Sequence, residues 1–229
     1  MKKTFSIVVL LIFSIVVYAQ KDVTQFLGIP IDGSKSEMIK KLKKKGFKSS
    51  LLGDDLLMGE FNGADVALHI VTTNNKVCRI VLLDVNPTEY VTDIKIRFNN
   101  LCWQFQNSSK YVSLTDVSRY IIPENYDISY EMMVNHKRYD AIFFQNVAQI
   151  DSISLVSNLT KMKLDSVAWN NMPEEQKKEI FRTAYLGNPK MIDIYSKKRV
   201  WFMIHQKSGM YSIAMFYDNE YNMADGSDL

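Results

Sequence analysis

The feature that most constrains the fold is a pair of alternating segments near the end of the chain, separated by a short polar turn. Apolar residues occupy alternate positions of VWFMIHQKSGMYSIAMFYD, which runs from Val200 to Asp218, and Lys207-Ser208-Gly209 interrupts them. A period of two places apolar side chains on one face of a β-strand. The segment therefore predicts two half-buried antiparallel strands joined by a tight hairpin.

The same pattern occurs earlier in the chain. Shifted by 134 positions, the hairpin aligns with VALHIVTTNNKVCRIVLLD, and the three identical positions of nineteen are Val66/Val200, Ile70/Ile204 and Asp84/Asp218. The similarity is one of pattern, so the generic alternation of strands is the competing explanation. If the similarity is real, it indicates an internal repeat.

The first residues are typical of a secretory signal. MKKTFSIVVLLIFSIVVYAQ contains two lysines, an apolar run and Val17-Tyr18-Ala19 before Gln20. An apolar run too short to span a bilayer comfortably, followed by small residues before a cut, predicts a cleaved signal peptide. We expect residues 1–19 to be removed, with cleavage after Ala19, and the mature protein to be secreted or periplasmic. The alternative is a retained membrane anchor, and we expect no transmembrane segment after the signal.

The charge of the chain excludes one class of partner and leaves another open. The formal net charge of +3 falls to +1 once Lys2 and Lys3 are removed with the signal, so nucleic-acid binding has no support from composition. Seven lysines lie between Lys35 and Lys48. They form either a solvated helix face or a basic surface that steers an anionic partner.

Two cysteines remain in the mature chain. In an oxidising compartment Cys78 and Cys102 form one disulfide, unless both are buried as free thiols inside the protein. The sequence leaves both alternatives open, because it does not place the two Cβ atoms.

The first helix and the strands after it have clear local signals. Ser34 and Glu37 have the spacing of a capping box and Gly46 suits the residue after a helix, so SKSEMIKKLKKKGF predicts a helix. Asn62-Gly63 is a strong two-residue hairpin signal. The strands predicted around it are 55–61, 64–71 and 76–84.

Two further groups of elements repeat this order of one helix and several strands. The second consists of a helix over 88–106 and strands at ISYEMMV, YDAIFFQ and IDSISLV, with a short extra strand around Arg119 to Ile122. The third consists of a helix beginning at Pro173, a strand from Ile192 to Tyr195, and the closing hairpin.

The resulting prediction is an α+β protein of repeated helix plus three-stranded antiparallel meander units, with the helices on one face of the sheet. Residues 20–157 form a first lobe with two units, residues 158–172 a linker, and residues 173–229 the third unit and an acidic tail.

No motif of catalysis or metal binding stands out, and we predict no cofactor, no metal and no catalytic residue. His69, His136 and His205 lack the spacing of metal ligands, and no nucleophile motif or phosphate-binding glycine pattern occurs. Acids near the end of the chain suggest calcium, although their order differs from that of an EF-hand and a solvated tail is the alternative. They are Asp218, Glu220, Asp225 and Asp228.

Aromatic residues are the best indication of binding. Trp201, Phe216 and Tyr221 alternate away from the apolar positions of the hairpin, so they lie on an exposed sheet face unless both faces are buried. We therefore hypothesise a non-enzymatic binding module for a protein or cell-envelope component. The alternative is a hydrolase of envelope polymers or polysaccharides with acidic residues from separate loops.

With its signal, GIPIDGSKSEMIKKLKKKGF near the start and YDNEYNMADGSDL at the end, the chain resembles a group of uncharacterised small secreted proteins from Bacteroidetes-type bacteria. Its repeated helix-plus-sheet plan looks like the β-lactamase-inhibitor-type and outer-membrane-assembly lipoprotein folds, from which it departs by three strands per unit and no lipobox cysteine. The resemblance implies a fold and a compartment, and no activity. It also implies O-glycosylation at Asp-Ser triplets, with Ser166 favoured over Ser152 as the acceptor.

Overall fold

The structure is a computed structural model that describes most of the chain after its first segment. The described residues are 22–51, 53–146, 166–173, 176–177, 180, 183 and 189–224. The predicted signal peptide, the predicted strand IDSISLV, Ser152 and the final acids Asp225 and Asp228 lie outside these residues, as does most of the predicted linker.

One antiparallel sheet of eight strands dominates the fold. From edge to edge its order is β3-β4-β5-β6-β10-β9-β8-β7, and a separate two-stranded sheet pairs β1 with β2. The strands are β1 (Gln25–Phe26), β2 (Ile29–Pro30), β3 (Lys48–Ser50), β4 (Gly53–Phe61), β5 (Ala64–Thr73), β6 (Lys76–Asp84), β7 (Tyr111–Val112), β8 (Asp140–Gln145), β9 (Arg199–Lys207) and β10 (Met210–Asp218).

Helices precede and interrupt the strands. They are α1 (Lys35–Lys44), α2 (Val91–Asn107), α3 (Ile128–Met133), α4 (Ser166–Asn170) and α5 (Pro189–Ser196), with 3-10 turns at Val117–Arg119 and Glu220–Asn222. Helices combined with an antiparallel sheet confirm the α+β class.

The first helix follows from its capping signals. The Ser34 hydroxyl accepts a hydrogen bond from the amide of Glu37, as a capping residue does, and Met38 and Leu42 are buried. Gly46 adopts a φ of +100°, which an L side chain disfavours. The predicted start and end of this helix are therefore confirmed.

Three tight turns connect the long strands. Asn62-Gly63, Asn74-Asn75 and Ser208-Gly209 all have positive φ at both positions, between 48° and 79°. This backbone matches the right-handed twist of the flanking strands, which is why Asn and Gly are favoured there. The hairpins predicted at both aligned segments are present, and each has such a two-residue turn.

A continuous core joins α1 and α2 to alternate residues of the sheet. Buried members of one apolar cluster include Met38 of α1, Phe98 and Phe105 of α2, and Phe202 of β9. Phe98 and Phe105 meet Phe202 with ring centroids 5.2 and 5.4 Å apart. Since side chains alternate along a strand, the neighbours of Phe202 on β9 point to the opposite face of the sheet.

Two predicted strands are helical instead, and a third has no regular structure beyond a 3-10 turn. ISYEMMV contains α3, because the carboxylate of Asp127 accepts hydrogen bonds from the amides of Ser129 and Tyr130 and caps a helix there. The segment Ile192 to Tyr195 lies within α5. This helix begins at Pro189, and proline is well suited to a first helical position. The predicted strand around Arg119 to Ile122 starts in a 3-10 turn, which Asp116 caps.

Strands from both sides of the predicted linker belong to the same sheet. β10 pairs with β6, and β9 pairs with β8. The closing hairpin therefore lies in the middle of the sheet, between strands that were assigned to the first lobe.

Candidate functional site

Two aromatic rings stack at the centre of the sheet. Trp201 of β9 lies directly opposite Phe216 of β10 in the strand register. Their ring centroids are 3.9 Å apart and the ring planes differ by 11°. Both rings are half-buried and both point away from the core, since Phe202 and Tyr217, which follow them in the chain, are buried.

The stack belongs to a row of side chains that crosses five strands. The register places Val81 beside Phe216, His69 beside Val81, and Ile142 beside Trp201. We call His69, Val81, Phe216, Trp201 and Ile142 the aromatic row. All five are exposed or half-buried, so the row is a partly solvent-accessible, largely apolar strip.

Arg79 covers one side of the stack. Its guanidinium carbon lies 5.8 Å from the centroid of the Trp201 ring and 5.4 Å from that of Phe216, within the range of cation–π contacts. Arg79 also donates from Nε to Asp218 Oδ1 at 2.5 Å and from Nη2 to Oδ2 at 3.0 Å. The hydrogen bond with Asp218 is the main reason that the pKa of Arg79 is raised above its usual value.

Asp218 holds this arrangement together. Its side chain is fully buried and accepts two hydrogen bonds from Arg199, at 3.1 and 3.2 Å, and one from the Trp201 indole Nε1 at 2.9 Å. Arg199 also forms an ion pair with Glu220 at 2.8 Å. A buried carboxylate needs such partners, because its charge is costly to desolvate. Two of the acids that suggested calcium binding, Asp218 and Glu220, therefore form ion pairs with arginine.

Tyr221 does not extend the alternation of Trp201 and Phe216. It follows β10 in the 3-10 turn Glu220–Asn222, where its amide donates to Asn219 Oδ1 at 3.1 Å. Its ring lies 5.9 Å from Lys197 Nζ. The prediction that all three aromatics continue one strand pattern is thus wrong for Tyr221, because the strand ends at Asp218.

The two cysteines are free thiols in the structure. Cys78 lies on β6 and Cys102 on α2, and both are buried. Burial raises the pKa of the Cys102 thiol to about 12. Of the two alternatives drawn from the sequence, the structure contains the buried thiols, and no disulfide joins these residues.

Ser166, the favoured glycosylation acceptor, is the first residue of α4. Its glycosylation stays a prediction, as does that of Ser152.

A cavity lined by acids lies near the start of α2. It has a volume of about 320 Å³, and Asp65, Asp84 and Asp93 line it with Arg97. Arg97 binds Asp84 through two hydrogen bonds of 2.6 and 2.8 Å, and Asp84 also accepts the amide of Ile213 at 3.0 Å. Three N–H groups donate to the carboxylate of Asp84, so its role is that of a structural ion pair. To act as a general acid or base, Asp84 would have to lose these hydrogen bonds.

The sequence analysis identified the two stacked aromatics, and the only site role it gave Asp218 was that of a candidate calcium ligand. It missed Arg79 and Arg199. Arg79 and Asp218 lie opposite each other in the register of β6 and β10, and they are separated by most of the chain, so no local signal links them. Within the described residues, no group of three or more His, Cys, Asp or Glu side chains is placed to hold a metal ion.

Comparisons with known proteins do not extend these findings. No family model matches the chain, and searches of curated proteins and of solved structures find no match either. The fold and site define an α+β protein built on an eight-stranded antiparallel sheet. None of the helices in the described ranges is long and apolar enough to cross a membrane.

Proposed function

We propose that this is a secreted or periplasmic, non-enzymatic binding module that docks a protein partner on the aromatic row. The observation that carries the proposal is the Trp201–Phe216 stack on the side of the sheet opposite the core, with Arg79 over both rings. Trp and Arg are the residues most enriched among those that dominate binding energy at protein interfaces.

The fixed orientation of the side chains in this site supports a binding role. Trp201 is fixed by stacking on one side and by its hydrogen bond to the buried Asp218 on the other. A side chain that is already ordered loses little conformational entropy when a partner binds it. Half-buried Val81 and Ile142 continue the apolar strip on either side, as expected for the centre of a docking surface.

The compartment rests on the signal-like residues 1–19 and on the resemblance to secreted bacterial proteins. A protein that folds outside the cytoplasm meets envelope proteins and not nucleic acid, which agrees with its nearly balanced charge.

We further infer that the sheet consists of two related halves, each with a helix before its four strands, and that α3, α4 and α5 are inserted between the strands of the second half. α1 precedes β3 to β6 and α2 precedes β7 to β10, and the strand order is symmetrical about the β6–β10 pair. The similar turns of the two central hairpins support the same inference. This arrangement replaces the three units of three strands that the sequence pattern suggested. Residues of both α1 and α2 belong to one apolar core, which supports the proposal that the helices lie on one face of the sheet.

The hydrolase alternative has less support. It needs two converging carboxylates, and in the acid-lined cavity Asp84 is already bound by Arg97.

Affinity capture with matched variants tests the proposal. The mature protein is immobilised and exposed to solubilised envelope proteins of its own source, and captured proteins are quantified by mass spectrometry. We expect the wild type to capture one protein. Val81→Glu should reduce the captured amount of that protein at least tenfold, because a buried unpaired charge is costly at an interface. Trp103→Ala removes an exposed tryptophan from α2 and should leave capture unchanged.

Circular dichroism of each variant checks that the fold is retained. Equal capture by wild type and Val81→Glu, both folded, would contradict the proposal, and so would equal loss with Trp103→Ala.

A further inference from the structure

A second cavity lies away from the aromatic row, between the segment after the first 3-10 turn and the start of β8. Its volume is about 250 Å³. Phe98 of α2 forms part of its wall, together with residues 119–123, Tyr126 and residues 137–140. None of the five residues of the aromatic row lines it.

The wall of this cavity is fastened to α2 by polar contacts. The buried side chain of Lys95 donates to the carbonyls of Glu124 and, at 3.1 Å, of Tyr126. Asn99 donates to the carbonyl of Ile122 at 2.8 Å and accepts the amide of the same residue at 2.9 Å. Segment 122–126 is therefore held in place without any ligand, so the cavity is preformed.

Three exposed cationic residues, Arg119, Lys137 and Arg138, are among the lining residues, and none of them forms an ion pair within the described part of the chain. The Arg138 guanidinium lies 3.6 Å from the sulfur of Met203, on the face of the sheet opposite Phe98. Arg119 and Lys137 are therefore the two cations available to the cavity. Asp140 is the one acid among the lining residues described. The local charge is thus positive in a protein of nearly balanced charge, which favours an anionic ligand.

Lys137 is oriented by two tyrosines. Its Nζ donates to the Tyr126 hydroxyl at 3.1 Å and lies 4.7 and 5.1 Å from the ring centroids of Tyr126 and Tyr139. The hydrogen bond with Tyr126 raises the pKa of Lys137 above its usual value. The ammonium is therefore fully charged at neutral pH, and it remains free to donate further hydrogen bonds.

The hydroxyl of Tyr139 is a further indication of a ligand. Tyr139 is 8% exposed, and its buried hydroxyl makes no hydrogen bond of ordinary geometry, although the Tyr126 hydroxyl lies close enough to contribute, alongside burial, to its raised pKa. Buried polar groups are nearly always paired, since an unpaired donor costs stability. Burial also raises the pKa of Tyr139, so the hydroxyl keeps its proton and can donate it in a hydrogen bond.

We propose that this cavity binds a small organic anion. Its carboxylate or phosphate is held by Arg119 and Lys137, one of its oxygens accepts a hydrogen bond from Tyr139, and its apolar body packs against Phe98 and Pro123. The volume limits the body to about the size of one ring with a short substituent. This site is independent of the docking surface, and either can exist without the other.

Titration calorimetry of the full protein with phenyl phosphate, benzoate and neutral benzyl alcohol tests the charge requirement. We expect saturable binding of at least one of the two acids and none of the alcohol. The double variant Arg119→Gln/Lys137→Gln should weaken the binding at least tenfold, because it removes both cations of the cavity. The control Lys76→Gln/Lys110→Gln removes two exposed cations elsewhere and should have no effect. Failure of both acids to bind, or equal weakening by the control, would overturn the proposal.

Tyr139→Phe separates a ligand-binding role from a structural one. Since this hydroxyl makes no hydrogen bond of ordinary geometry, the variant should unfold at the same temperature as the wild type or higher, yet bind the acid more weakly. A lower unfolding temperature would show that the hydroxyl has a partner within the protein. Unchanged affinity would show that it does not contact the ligand, and either result would overturn the assignment.

Discussion

At the scale of single residues, Asp218 has more hydrogen-bond partners than any other side chain of the candidate site. It receives hydrogen bonds from Arg79, Arg199 and Trp201 while its own side chain is fully buried. Removing the charge of such a carboxylate leaves Arg79 without its ion-pair partner and Arg199 with Glu220 alone, although both guanidinium groups are partly exposed and therefore partly hydrated. The orientation of Trp201 depends on the same carboxylate, so stability and binding are linked at this residue.

We expect Asp218→Asn to lower the free energy of unfolding by about 2–3 kcal/mol, somewhat less than for a fully buried pair. The matched control is Asp55→Asn, which breaks the exposed ion pair of Asp55 with Lys35 and should cost less than about 1 kcal/mol. Urea denaturation of both variants measures the difference. Equal losses of unfolding free energy in the two variants would show that the burial of Asp218 does not determine its contribution to stability.

At the scale of elements, the fold could be predicted where a local chemical signal exists. The capping box of α1 and the Asn62-Gly63 hairpin were both found, because each needs residues that are adjacent in sequence. The helix α3 was read as a strand, since six residues do not distinguish a period of 3.6 from a period of two. The pairing of Arg79 with Asp218 could not be predicted, because it depends on the β6–β10 register between distant segments.

The turn of the closing hairpin gives a prediction at this scale. Gly209 has a φ of +79°, and a Cβ added there would meet no atom within 4 Å, so only the backbone conformation opposes a substitution. We expect Gly209→Ala to lower the free energy of unfolding by about 1 kcal/mol, since alanine disfavours this region. Gly209→Asn should cost less, because asparagine tolerates it. Thermal unfolding of the two variants would contradict this account if both lost equal stability.

At the scale of the whole molecule, the position of the closing hairpin decides what the protein presents to a partner. The sequence pattern indicated that the hairpin belongs to a third unit, whereas β9 and β10 lie between β6 and β8 in one sheet. Trp201 and Phe216 are therefore near the middle of a broad face and not at the edge of a small lobe. The part of the site that could be predicted was the pair of aromatics, because strand alternation is local. The arginines and the buried carboxylate that orient them could not be predicted, because tertiary pairing brings them together.

Site-specific photo-crosslinking in the envelope of the source cells tests the docking surface most directly. A photoreactive phenylalanine analogue replaces Val81, in the aromatic row, or Ile96, which is exposed on α2. The account predicts one major protein adduct with the probe at position 81 and no such adduct with the probe at position 96. The same adduct from both positions, or no protein adduct from position 81, would contradict it.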